Sequence, residues 1–384
     1  MHDVQDANVL TALQSVAVSL EKAKVPEDVF GKLDAADPIK TLAFEYRRLV
    51  RFVHPDKFEG TESARLAHDL FLKLTDWKNQ AERKIKAGTY GDRKPALPEE
   101  TPPTFHAPQQ VKTPRRTYLV DGLITRGDLA DLYSCAYTEK GVEHRDIFKV
   151  AQSPADNDLL ENESKVLGAI YPMAQVSEKF YRYLPKLLDT FVLRGASRTN
   201  RRVNVLVLAD GYVSLAQIIA AHPKGLDFRD MAWMFKRVLA GLGFVHRKGY
   251  VHGALTPEHI LVHPTGHGAK LVDWCYSVKT SEKLKVICKP YRDFYPAEVF
   301  AKRPTTPQTD LYMAAKCMVA VLGGPDSDSF AQAPVRVQAF LGSCLLAAQS
   351  KRPDDAWKLH EEFDQLLVRL VGKPKYRPLV MPAR

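Results

Sequence analysis

Between residues 91 and 116 the chain reads GDRKPALPEETPPTFHAPQQVKTPRR, six prolines in a stretch with almost no apolar periodicity. Proline fixes φ and removes a backbone donor, so such a run neither continues a helix nor sits within a sheet. It is expected to be a semi-extended tether, reaching at most about 3.1 Å per residue if fully polyproline-like. Whatever folds on either side must then bury a core of its own. Residues 89–117 are accordingly expected as a linker, 1–25 as an additional helix, 26–88 as a first domain, 118–372 as a second and 373–384 as a tail.

A length of 384 residues suits two or three folded units. With 45% apolar and 26% charged residues, the chain has enough apolar side chains for a sizeable core. Cys135, Cys275, Cys288, Cys317 and Cys344 include no CxxC pair, so neither a zinc ribbon nor a disulfide framework is expected and a reducing cytoplasm fits. MHDVQDANVL lacks a basic region followed by an apolar core, and the longest apolar run, Met313 to Leu322, is interrupted by Lys316. Neither a secretory signal nor a membrane partner is expected. The net charge of +10 comes without a nucleic-acid-binding signature, so no nucleic acid partner is expected either.

Before the linker the chain reads as helical. Pro38 to Val53 begins with a proline suited to a first turn, and Leu42, Tyr46, Leu49 and Val53 recur at helical spacing. Lys40, Arg47, Arg48 and Arg51 fall largely on the other side. A second helix is expected from Ser63 to Lys84, with Ala67, Leu70, Phe71, Leu74, Trp77 and Ala81 as its apolar face. Packed as a hairpin, the two would project His54-Pro55-Asp56-Lys57 from one end. A further helix is expected from Asn8 to Lys22, through Leu10, Leu13, Val16 and Leu20.

The text YRRLVRFVHPDKF followed by ARLAHDLFLKLTDWKNQAE resembles the J domain of DnaJ-type co-chaperones. The resemblance implies a DnaK-type chaperone as partner. His54, Pro55 and Asp56 would contact its ATPase, and Arg47, Arg48 and Arg51 would dock on its acidic surface. A protein client is also implied, without its identity. On residues alone, an HPD tripeptide arises easily by chance and a basic helix face is usually only solvated; it is the setting between two helices that carries the resemblance.

Beyond the linker, strand-like runs (LYSCAY, DIFKVA, NVLVLA) precede helix-like ones, which points to an α+β domain of two lobes. The small lobe is expected over about 118–210 and the large lobe over about 211–372. Several motifs then fall in the order of a protein kinase, so the second domain resembles that family. Lys149 in DIFK stands where the family's lysine grips nucleotide phosphates, and Glu163 in ENESKVLGAI where its pairing glutamate sits. VHRKGYVHGALTPEHILV is similar to a catalytic loop, LVDWCYS to the metal-binding segment, YPAEVF to the end of the activation segment and TDLYMAAKCM to the helix behind it. The resemblance implies a pairing of Glu298 with Arg352, Asp310 capping the catalytic-loop backbone, and His252 in the core of that loop.

The departures bear on chemistry. Ala254 stands where the family's aspartate accepts the substrate proton, a loss typically costing about 10²- to 10⁴-fold in rate. Thr256 replaces a lysine facing the transferred phosphate. His259 replaces an asparagine that holds magnesium, and neutral imidazole is a poor ligand for that hard cation. TRGDLADLY keeps only Gly127 of the glycine-rich loop, places Ala130 at its last glycine and adds Asp128 and Asp131 near the phosphates. No catalytic residue is therefore expected.

Lys149, Glu163, Asp273 and Gly127 remain as nucleotide-binding positions, with Asp273 as a magnesium ligand. ATP with magnesium is one outcome; a salt bridge that merely holds the small lobe together is the other. Trp274 and Cys275, in place of the segment's phenylalanine and glycine, point to a stiffer segment. His252, His259, His263 and His267 crowd one stretch, but without zinc-type spacing no structural metal is expected. Together these features point to a co-chaperone adaptor with a catalytically impaired kinase-like domain serving as scaffold, client-binding or nucleotide-sensing module. The alternative is a divergent kinase or nucleotidyl transferase using Lys149 and Asp273.

Overall fold

The computed structural model describes residues 13–14, 16–21, 23–33, 37–58, 61, 63–86, 88–91, 108–176, 179–194, 200–373 and 375–382. The chain divides into two compact units, Met1–Glu100 and Thr101–Arg384.

In the first unit, residues 16–21 are helical and are followed by α1 (Pro26–Phe30), α2 (Pro38–Val53) and α3 (Ala64–Lys86). The helix expected from Asn8 to Lys22 falls partly outside the described residues; its Leu13 and Leu20 are buried. Asp37 caps α2 by accepting from Lys40 N at 3.0 Å, with Pro38 in the first turn. Leu42 and Val53 of α2 and Ala67, Leu70, Leu74 and Ala81 of α3 form the core, with Tyr46, Leu49, Phe71 and Trp77 packed at its margin. The Tyr46 hydroxyl and Thr75 Oγ1, 2.9 Å apart, tie the two helices across that margin.

In the second unit, β1 (Gln109–Lys112), β2 (Thr117–Arg126), β3 (Ala130–Glu139), β4 (Val142–Ala151), β5 (Leu187–Arg194) and β6 (Asn200–Val207) form one antiparallel sheet. Its order is β1-β2-β3-β4-β6-β5. Gln109–Lys112, expected as linker, is an edge strand instead. Pro108 and Pro114 flank it without interrupting its ladder, and Val111 is buried. Tyr133, Cys135 and Tyr137 alternate along β3 and share one core face with Phe148 and Val150 of β4. The sheet curls: Tyr118 of β2 stacks on Phe191 of β5 with ring centroids 6.4 Å apart, although these strands are not neighbours. Helix α4 (Asn157–Val176) adds Leu160, Val166, Leu167 and Ile170 to a second and larger core.

The remainder is mainly helical: α5 (Leu215–Ala221), α6 (Phe228–Arg247), α7 (Ala297–Phe300), α8 (Pro307–Val321), α9 (Asp328–Gln332), α10 (Val335–Cys344) and α11 (Ala356–Val371). Phe235, Val238, Leu239 and Leu242 of α6 pack in one core with Met313, Ala314, Cys317 and Met318 of α8. Short strands β7 (Val213–Ser214), β8 (Tyr250–Val251), β9 (Ile260–Val262), β10 (Ala269–Leu271) and β11 (Val278–Lys279) frame two loops. Residues 252–259 lie between β8 and β9, and residues 272–277 between β10 and β11. All five cysteines are free and buried. Among the described residues no helix is long and apolar enough to cross a membrane.

Candidate functional site

In the first unit, His54 ends α2 and starts a single 3-10 turn over Pro55–Lys57. The Asp56 side chain is 83% exposed and its Oδ2 lies 3.5 Å from His54 Nδ1. The His54 ring is held edge-on against Phe71 of α3, centroids 5.7 Å apart, so the turn is anchored on one side and open on the other. Arg47, Arg48 and Arg51 are exposed along α2. Arg48 is braced by Glu45 at 2.8 Å. Phe44, 61% exposed, joins this basic face, a residue that the apolar-stripe count did not single out.

In the second unit, Lys149 sits on the central strand β4, where Leu132 and Asn204 are its cross-strand neighbours. Its Nζ donates to Glu163 Oε1 at 3.0 Å and to Asp273 Oδ1 at 2.9 Å, and lies 3.3 Å from Cys275 Sγ. Glu163 in turn accepts from Asn204 Nδ2 at 2.9 Å and from Trp274 N at 3.2 Å. Burial by itself lowers the affinity of the ammonium for its proton, but the facing Asp273 and Glu163 carboxylates override it and hold the Lys149 pKa well above its ordinary value. Burial likewise favours the neutral form of Asp273, and Lys149 with His259 outweighs that, holding its carboxyl below the usual range.

Asp273 adopts a left-handed backbone, φ +64°, an uncommon conformation for a residue with a Cβ. Trp274, fully buried, donates its indole N–H to Leu271 O at 2.8 Å and lies tilted against His252. Thus the large residue in this segment is pinned at both its face and its edge. The Tyr276 hydroxyl donates to Asp128 Oδ2, joining the same segment to the hairpin between β2 and β3. In that hairpin Gly127 N donates to Ala130 O at 2.9 Å, and a Cβ on Gly127 would lie 2.7 Å from that oxygen. Asp131 does not line the cleft as the sequence suggested. It is buried, with Oδ1 accepting from Gln152 Nε2 at 2.8 Å.

The loop at 252–259 is held from behind. Asp310 accepts from His252 N at 2.8 Å, Gly253 N at 2.9 Å and His246 Nε2 at 2.9 Å. The buried His252 ring donates from Nε2 to Val272 O at 3.0 Å, and burial pushes its pKa down to about 4. Gly253 has φ +77°, and a Cβ there would lie 2.6 Å from Leu284 Cδ2. Ala254 is buried and offers only a methyl group. Thr256 is also buried. His259 lies with Nδ1 2.8 Å from Ala254 O and Nε2 3.3 Å from Asp273 Oδ2. Further along, Arg352 grips Glu298 with two parallel bonds of 2.6 and 3.1 Å, both residues being buried.

Between these elements opens a cavity of about 570 Å³, lined by Gly127, Asp128, Lys149, His259 and Asp273 among others. That size suits a small-molecule ligand. Glu258 also lines it, a carboxylate that no motif in the sequence marks; its oxygens accept from Ser214 Oγ at 3.4 Å and Tyr291 OH at 3.3 Å. Cys288, Pro290 and Tyr291 line it from the following segment.

The four histidines of this stretch do not converge. His263 accepts from Gly266 N, and His267 is stacked on Trp233 and donates to Arg377 O. Among the described residues, Glu163, Asp273 and Cys275 bring three donor atoms within 4.8 Å of one another, but the Lys149 ammonium already bonds or touches all three. Magnesium, which takes oxygen ligands in octahedral array, finds no fitting set: one Asp273 oxygen is bound to Lys149 and the other faces an imidazole nitrogen.

No protein-family model matches the chain. It is 37% identical over 73 residues to sperm motility kinase 1 of Mus musculus, covering 18% of this chain and 15% of that protein. It is 24% identical over 218 residues to the serine/threonine-protein kinase H1 homolog of Pinctada fucata, covering 54% of this chain and 46% of that one. The chain thus spans less than half the length of these curated relatives. The solved structure of vaccinia related kinase 3 aligns with 72% of this chain and 94% of its own, at a TM-score of 0.55 and 17% identity. At that identity the likeness establishes the fold alone: the chain carries a bilobal, protein-kinase-like domain.

Proposed function

We propose that this chain is a J-domain co-chaperone whose kinase-like domain has become a non-catalytic adaptor. The first unit recruits a DnaK-type chaperone in the cytoplasm and stimulates its ATPase through His54, Pro55 and Asp56, with Arg47, Arg48 and Arg51 steering the encounter. The observation that carries this proposal is the HPD turn itself, anchored at His54 yet presenting the Asp56 carboxylate to solvent at the end of a basic helix. A turn already ordered loses little entropy on docking, and charge complementarity orients the partner. The kinase-like domain serves as scaffold, client-binding or nucleotide-sensing module. If ATP enters its cleft, Lys149 is the phosphate partner, and Gly127 lets the hairpin approach.

The proposal is tested with the full chain and a purified DnaK-type chaperone. Asp56→Asn is expected to abolish stimulation of ATP hydrolysis. Unchanged stimulation removes the co-chaperone reading.

A second reading is supported by the intact Lys149–Glu163–Asp273 network and by a carboxylate, Glu258, within the cleft. It takes the domain as a divergent kinase or nucleotidyl transferase. It predicts transfer of label from γ- or α-labelled ATP to protein, lost in Lys149→Ala; absence of transfer with both labels removes it.

A further inference from the structure

Away from the cleft, three stretches of the large lobe meet edge to edge. Lys279 of β11 is paired with Tyr250 of β8, and Thr280 N donates to Gly249 O at 2.9 Å. The turn that follows is locked to the chain after α7: Ser281 N donates to Thr305 O and Thr305 N to Glu282 O, each at 2.8 Å. Thr305 is fully buried, and its hydroxyl also donates to Glu282 O at 2.8 Å. Ser281 and Lys302 hold left-handed backbone, at φ +74° and +51°. A residue with a Cβ keeps that conformation only where its surroundings impose it, so both turns are fixed in shape.

From these stretches Lys248, Lys279, Lys283, Lys302 and Arg303 all reach solvent. Among the described residues none of the five enters an ion pair. The stretches 247–250, 278–285 and 301–306 contribute one carboxylate, Glu282, and its Oε2 is engaged by Lys279 N at 3.2 Å. None of the five cations lines the cleft. Like charges gathered without counter-charge repel, and a rigid frame keeps them from moving apart. An anion laid across them relieves that repulsion at little cost in ordering.

We propose that this surface docks an acidic polypeptide segment, rich in aspartate and glutamate, of the client. Such a segment presents carboxylates at intervals along an extended chain, which suits cations spread over several turns. Nucleic acid is the less fitting polyanion. The cations sit on loops and at the end of a two-residue strand, so no helix is offered to a duplex groove. Single strands are held by bases stacked on open aromatic faces. The exposed aromatic beside Lys302, Phe300, has the Arg292 guanidinium over its ring, 4.5 Å from the centroid. The inference rests on the client-binding reading of this domain. Its test needs no chaperone, so its failure leaves the reading of His54, Pro55 and Asp56 untouched.

Binding is read with the full chain at about 0.15 M salt, by fluorescence anisotropy of a labelled glutamate–aspartate peptide. A glutamine–asparagine peptide, single-stranded and duplex DNA, and co-sedimentation with vesicles containing phosphatidylserine are the comparisons. The acidic peptide should bind, and the neutral one at least about tenfold more weakly. Lys283→Glu with Arg303→Glu should weaken the acidic peptide at least about tenfold. Lys358→Glu, at an exposed cation elsewhere, should leave it unchanged.

Thermal melting establishes that each variant is folded. Lys283→Gln with Arg303→Gln, expected to lose at least about threefold, replaces the charge reversal if that one does not fold. Absence of acidic-peptide binding, or equal binding of the neutral peptide, overturns the proposal. So does binding that survives the double substitution, which places the peptide elsewhere. Equal weakening by Lys358→Glu overturns it as well, because net charge alone is then at work. DNA or vesicles that bind more tightly than the peptide, and are lost in the same double variant, overturn it in favour of another occupant.

Discussion

Two loops with histidine at their head do opposite things with their chemistry. The turn at 54–57 turns its carboxylate outward and is anchored by the ring contact of His54 to Phe71 and by the buried Phe58 that follows it. The loop at 252–259 turns inward: its backbone hangs from Asp310, its leading histidine is locked to Val272 O, and the buried residue that follows Gly253 is an alanine. An outward loop keeps its meaning in the residues themselves, since whatever docks on it supplies the other half. An inward loop has meaning only through partners brought from far along the chain. The methyl group of Ala254 therefore sits in an architecture that stays tight, because Asp310, Glu298 and Arg352 hold the segments around it.

The largest effect should come from the inward side. Arg352→Ala leaves Glu298 buried without its two bonds, and breaking a buried pair from one side costs about 3–5 kcal/mol. Denaturant unfolding of the full chain should show the second unit destabilised by that amount and the first unit unmoved. Equal loss in both would break the distinction drawn between the two loops.

A smaller effect is set by pH. The unfolded His252 imidazole takes its proton near pH 6.5, the buried one only near pH 4. Between those values the unfolded chain binds the extra proton, so stability falls as pH drops through the window, by up to roughly 3 kcal/mol. His252→Asn removes this dependence. The measurement is denaturant unfolding from pH 7 to 4, and an unchanged slope in the variant would show that other groups carry it.

Within the first unit, Tyr46→Phe deletes the hydroxyl that meets Thr75, for a loss of about 1 kcal/mol. The smallest effect is the sharpest contrast. Asp56→Asn, though expected to abolish chaperone stimulation, should leave the unfolding midpoint of the first unit where it was, because the side chain is exposed. A shifted midpoint would mean that the outward turn is structural after all.

Much of the fold was legible because it rests on local pattern. The stripe Leu42, Tyr46, Leu49, Val53 marks a helix by spacing, and the expected Ser63–Lys84 helix is observed as Ala64–Lys86. Asp273 lies 124 residues beyond Lys149, and only the place of Lys149, Glu163 and Asp273 in an ordered set of motifs announced that they meet. Strand β1 was missed because prolines dominate its surroundings, while the residues between Pro108 and Pro114 keep the donors that a ladder needs. Asp131 was misplaced by one step of strand alternation, which turns a side chain to the other face.

By itself, then, the sequence determined where helices and strands could start and stop, that two cores were required, and that no carboxylate follows His252 and Gly253. Tertiary structure alone decided that the Tyr276 hydroxyl closes on Asp128, that Glu258 enters the cleft, and that His259 Nε2 is aimed at Asp273. Periodicity and backbone chemistry act over a few neighbouring residues and can be read along the chain. The direction of a buried ring is set by which carbonyl it meets, and that is fixed only when distant segments pack.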